Sequence, residues 1–186
     1  MRKDAERNRR KLIAAASEMM KTEGGDVPME VIAERASLTR ATLYRNFPHR
    51  QAMYEAVLEH DLENIRAHLE AAEETDPLAF IRRMTELMMV YDKFLMFLAN
   101  APDYDTEKNH ARMVAVIAAP LAAAQAKRVL HSRLTSDDIL MACRMLASHW
   151  RLDVQPDLAR AFEQRFALMM QGLGDVPALR STDTRR

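Results

Sequence analysis

Residues 37–47, SLTRATLYRNF, limit the folds open to this chain more than any other stretch. An α-helix turns about 100° per residue, so Leu43 and Phe47 fall on one side of it. Ala41 and Arg45 then project nearly opposite Leu43, with Thr42 and Tyr44 beside them. The apolar side requires neighbouring helices to pack against. The other side offers a methyl, a hydroxyl, a phenol and a guanidinium. Such groups suit a DNA groove: apolar contact with a thymine methyl, hydrogen bonds to phosphate, and a bidentate fork for guanine. An ordinary amphipathic surface helix would show the same two faces, so the flanking sequence has to decide.

Upstream, Leu12, Ile13, Ala16, Met19 and Met20 recur at helical spacing and predict a first helix over about residues 6–23. Gly24, Gly25 and Asp26 supply a stop and a turn. Met29, Ile32, Ala33 and Ala36 mark one side of a short second helix, with Pro28 in its first turn, where a missing N–H costs nothing. Thr39 is placed to cap the next helix through its hydroxyl. The order is that of a helix-turn-helix preceded by a supporting helix. Downstream, Pro48 ends the short helix, and His49 and Arg50 open a long one. A cation beside helix N-terminal amides favours a phosphate; a solvated surface arginine is the plain alternative for Arg50. The candidate contacts are Arg40 and Arg45 for bases, Ala41 and Thr42 for close apolar and hydroxyl contact, and Thr39, Tyr44 and Arg50 for phosphates.

The runs Leu12-Ile13-Ala14-Ala15-Ala16, Ile32-Ala33-Glu34-Arg35-Ala36 and Thr42-Leu43-Tyr44-Arg45-Asn46-Phe47-Pro48 match, in order and spacing, the pattern of a known family. Over about residues 11–57 the chain resembles the TetR family of bacterial transcriptional regulators. Two positions depart from that pattern. Pro28 stands where the family often has threonine, which puts one phosphate contact in doubt. Ser37 stands where the family usually has glycine, the easy residue for a left-handed turn, and implies slight strain or a different turn.

The chain has 186 residues and zero formal net charge, but the charge is uneven. Residues 1–50 carry 11 Lys/Arg and 7 Asp/Glu, a surplus of +4 that the remainder balances. Arg2, Lys3, Arg7, Arg9, Arg10 and Lys11 read as a basic arm for phosphate or the minor groove, or as a frayed, solvated terminus. The single cysteine, Cys143, rules out an intrachain disulfide framework and suits a reducing cytosol. Its spacing with Ile139, Leu146, Ala147 and Trp150 reads as buried filler. No apolar run approaches the roughly 20 residues of a membrane span, and no signal-peptide pattern opens the chain. The expectation is a cytoplasmic protein with no membrane association.

The remaining sequence predicts helices over about residues 49–74, 77–100, 106–118, 120–133, 136–152 and 156–173. The expected fold is all-α: a three-helix DNA-binding domain over 1–50, a larger helical domain over 51–174 and a disordered tail over 175–186. Residues 87–98 are apolar on more than one side, which places that helix centrally. The chain has 14 methionines, whose flexible side chains suit adaptable apolar pockets. Met84, Met88, Tyr91, Met113, Ile117, Met145 and His149 are therefore candidates to line a cavity for a small apolar effector; plain core packing is the competing reading. The stripes Ile139, Cys143, Leu146, Ala147, Trp150 and Leu158, Phe162, Phe166, Met169, Leu173 would suit a four-helix interface about a two-fold axis, or would close the monomer core. The resemblance implies such a homodimer, bound to a double-stranded DNA operator. Six scattered histidines form no HExxH, CxxC or nucleophile pattern, so neither enzyme, metal nor cofactor is expected. An all-α ligand-binding or protein-sensing module without repressor activity is the competing function.

Overall fold

The computed structural model describes residues 2–23, 27–71, 75–98, 104–148 and 157–174. Among these residues the regular structure is helical: α1 (Arg2–Glu23), α2 (Met29–Arg35), α3 (Arg40–Asn46), α4 (Arg50–Glu70), α5 (Ala79–Leu98), α6 (Thr106–Ala126), α7 (Ser136–Ala147) and α8 (Leu158–Leu173). The tail over 175–186 lies outside the described residues, as do His149 and Trp150.

α1 starts earlier than expected. The basic segment is helical rather than an extended arm, because it holds no glycine or proline and is laced by Arg7–Asp4 and Arg10–Glu6 pairs one turn apart. Arg9 is drawn inward: its guanidinium stacks 4.4 Å over the Phe47 ring and donates to the Asn46 carbonyl.

α2 and α3 are each 7 residues long, too short to persist alone in water. Burial of Ile32, Ala33, Leu43 and Phe47 against α1 holds them. The link between them is a Schellman turn. Leu38 N–H donates to Ala33 O, Ser37 N–H donates to Glu34 O, and Ser37 sits at φ 55°. Of the two outcomes open for Ser37, the turn is therefore kept and the strain accepted. Arg128 (φ 56°) ends α6 in the same way.

α6 runs unbroken through Pro120, where a break or kink between two helices was expected. Proline there removes the bond to Val116 O and costs about 3 kcal/mol. Burial of Val116, Ile117, Leu121 and Ala124 along one face offsets that cost, aided by the surrounding alanines. Beyond Ala126 there is no further helix up to Thr135; Gln125 Nε2 donates to the carbonyls of His131 and Leu134 to shape this connection. α7 opens with a full capping box, Thr135 with Asp138.

α5, α6 and α7 pack together, α8 lies on α7, and α4 touches both α1 and α5. One hydrophobic cluster runs from Leu12 to Phe166 through all of these helices. α4 thus belongs to the packing of both halves.

Candidate nucleic-acid interface and effector region

α3 presents the surface that its periodicity predicts. Leu43 and Phe47 are buried, whereas Thr39, Arg40, Ala41, Tyr44 and Arg45 are exposed and Thr42 is half-exposed. Thr39 caps the helix, its hydroxyl accepting from Thr42 N–H at 3.2 Å and meeting the Thr42 hydroxyl at 2.9 Å. Arg45 folds along its own helix, donating through Nε to Ala41 O and through Nη2 to Thr42 Oγ1. These are contacts between exposed groups, so little opposes their exchange for a ligand's acceptors.

Arg50 differs from the other six. It is half-buried; Nη2 donates to Val27 O at 2.7 Å and Nε to the Tyr54 hydroxyl at 2.9 Å. It ties the entry of α2 to the start of α4. His49 caps α4, with Nδ1 accepting from Ala52 N–H. Glu30, on α2, was not singled out from the sequence. Its Oε1 accepts a 3.0 Å hydrogen bond from the Tyr44 hydroxyl and lies 3.8 Å from Arg40 Nη2. Nothing local marks it: the signal is its place in the first turn of a helix that packs on α3.

Of the seven residues expected around an apolar cavity, Met84, Met88, Tyr91, Met113 and Ile117 are buried in the shared core. Met145 points outward and is 58% exposed; it follows buried Cys143 on α7 and faces away from the core. His149 lies outside the described residues. The structure does hold an open cleft of about 250 Å³ between α4 and α5, lined by Asp61, Ile65, Arg83, Leu87 and Val90 among others and bordered by Lys21 of α1.

Beside that cleft is a buried polar link across three helices. Asp61 of α4 is 2% exposed. Its Oδ1 accepts from Ser17 Oγ (2.7 Å) and Lys21 Nζ (2.9 Å) of α1, and its Oδ2 from the Tyr91 hydroxyl (2.8 Å) of α5. Burial, then the Asp61 charge and hydrogen bond, push the Tyr91 phenol far above its usual range, so it remains a donor. This link joins the helix supporting α2 and α3 to the centre of the other half.

Residues 12–57 match the model of the bacterial regulatory proteins of the tetR family. Over these residues the chain carries the TetR-type helix-turn-helix pattern. Two solved TetR regulators extend the likeness beyond the matched segment. One, from Streptomyces coelicolor, shares 26% identity at a TM-score of 0.66, covering 89% of this chain and 98% of its own. The other, from Mycobacterium vanbaalenii, shares 27% identity at a TM-score of 0.61, covering 93% and 98%. A TetR-family regulator from Pectobacterium atrosepticum, at 20% identity and a TM-score of 0.60 over 96% of this chain and 100% of its own, shares the fold. The comparison with curated proteins finds no match. The chain is thus similar to TetR regulators in its N-terminal helix-turn-helix and in its overall helical fold. Among the described residues, no helix is long and apolar enough to cross a membrane.

Proposed function

We propose that this protein is a TetR-type, ligand-responsive repressor that binds a palindromic operator as a homodimer in the cytoplasm, without enzymatic activity. Residues 1–50 form the DNA-binding domain, and residues 51–174 bind the effector and pair the subunits. The observation that carries the DNA reading is the division of α3: Leu43 and Phe47 bury while Ala41 and Arg45 face solvent. α3 enters the major groove. Arg40 and Arg45 read bases, Ala41 and Thr42 allow close approach, and Thr39 and Tyr44 bind phosphate. Arg50 adds positive charge behind them while holding Val27. A gel shift with the gene's own upstream DNA tests this. Arg45→Ala should weaken specific binding by about 1–3 kcal/mol if it pairs with guanine. An equal loss on random DNA would reassign Arg45 to phosphate.

The effector reading rests on Met84, Met88, Tyr91, Met113 and Ile117 clustering in the core close to the Asp61 link. A small apolar molecule that parts these side chains would disturb Tyr91 and, through Asp61, α1. It changes DNA affinity only if it binds the two states of the protein unequally. A thermal-shift screen of apolar metabolites, followed by DNA titration at saturating ligand, checks both steps. Unchanged DNA affinity at saturation would remove the coupling.

A further inference from the structure

The proposed reading surface includes a carboxylate directed at its own DNA contacts. Glu30 Oε1 engages the Tyr44 hydroxyl and faces the Arg40 guanidinium, two of the groups assigned above to DNA. Arg40 is 72% exposed and Glu30 32%. Such a solvent-screened pair adds little to folding stability. A carboxylate on a DNA-binding face has two consequences. It accepts from a cytosine amine, or it repels phosphate and competes with it for donors. Oε1 is turned toward the protein's own donors, which favours the second.

We propose that Glu30 lowers this protein's affinity for DNA of arbitrary sequence, by occupying Tyr44 and Arg40 in the way a phosphate would. The inference rests on the DNA-binding reading of α3. Hydrogen bonds from the backbone and from Tyr44, with the charges of Arg40 and Arg50, hold the Glu30 carboxyl below the usual glutamate range. The same hydrogen bond pushes the Tyr44 phenol up. The acid is therefore charged, and the phenol remains a donor, wherever DNA is bound. To reach phosphate, Tyr44 and Arg40 must leave Glu30, and the DNA must accept a negative neighbour. Both effects reduce the sequence-independent part of binding, the part that depends on salt.

The test is fluorescence anisotropy of the full chain on a random-sequence duplex across a range of salt, for wild type, Glu30→Gln and Glu30→Ala, with a thermal melt of each to show folding. The glutamine keeps an acceptor for Tyr44 but not the charge. Freeing one cation for phosphate should steepen the slope of log K against log salt by about 0.9. With the value extrapolated to 1 M salt unchanged, that is about eightfold tighter binding at 0.1 M. Both variants should show it. Unchanged slope and affinity in both would overturn the proposal. Weaker binding by Glu30→Gln would also overturn it, making the carboxylate a DNA contact. A change in the alanine variant alone would make Glu30 a positioning residue for Tyr44 instead. A wild type that binds no duplex even at low salt would sink the DNA reading itself, a result distinct from all of these.

Discussion

At the scale of single residues, Ser37 shows what an unexpected side chain costs. At φ 55° its Cβ crowds the following carbonyl, a strain of about 1–2 kcal/mol. Ser37→Gly removes the strain but frees the unfolded chain, which returns part of the gain. The net expectation is a stabilisation of about 0.5–1 kcal/mol, read as a rise of roughly 2 °C in Tm. A fall in Tm would mean that the serine hydroxyl contributes more than its backbone costs. Cys143 makes a second residue-scale case. Burial pushes its thiol up to about 11, and Sγ lies 3.7 Å from Ile81 O. A thiol reagent at pH 8 should leave it unmodified in the folded protein and label it fully in denaturant. Rapid labelling without denaturant would show that α5 and α7 separate readily.

At the scale of elements, Asp61 joins α1, α4 and α5 through three donors. Tyr91→Phe deletes one hydrogen bond to a buried charge and should cost about 2 kcal/mol, measured by urea unfolding. Asp61→Ala takes the acceptor from the buried Ser17 and Tyr91 hydroxyls, while half-exposed Lys21 keeps Ser17 and water, and should cost more, about 3–5 kcal/mol. A loss near zero in either would mean that water already satisfies these groups. α7 carries a pH signature. Hydrogen bonds from the Thr135 backbone and hydroxyl lower the Asp138 carboxyl below its usual value. The capping box therefore contributes fully above the ordinary aspartate range and is lost as pH falls through the lowered folded value. Asp138→Asn should flatten the loss of stability below about pH 4, followed by thermal melts across pH.

The same elements show what was legible in the sequence. Apolar spacing and caps alone indicated α1 to α4 and the two faces of α3, because each signal is local. The family resemblance rests on the same residues. Pro120 misled, because burial on α6 outweighs a local penalty that no window of sequence can price. Ser17, Asp61 and Tyr91 are separated by 44 and 30 residues, and nothing in their own neighbourhoods announces that they meet. Glu30 and Tyr44 are closer in sequence yet sit on different helices, so their contact required the turn at Ser37 to be known. The effector candidates rest on residue type and helical spacing. Those signals reach the core but also Met145, which the rotation of α7 turns outward.

At the scale of the whole molecule, exposed apolar side chains indicate where a second copy would sit. The stripes of α7 and α8 mostly close the monomer core: Ile139, Cys143, Leu146 and Phe166 are buried. On the outer faces of the same helices, Met141, Met145 and Leu168 are 59%, 58% and 67% exposed. Each of the two helices can thus serve two packing layers, one within the subunit and one across a two-fold axis. The charged double variant Met141→Glu, Met145→Glu changes the outer layer and leaves the buried stripe intact. It should therefore sediment as a folded monomer with a near-normal melt, whereas wild type should sediment as a dimer. On a two-half-site operator, that monomer loses the advantage of linked binding and should bind about 10²–10⁴-fold more weakly. Its affinity for a single half-site should match that of wild type. A variant that remains dimeric would place the interface elsewhere. A monomer that keeps full affinity would show that one α3 suffices, and the palindrome would have no role in recognition.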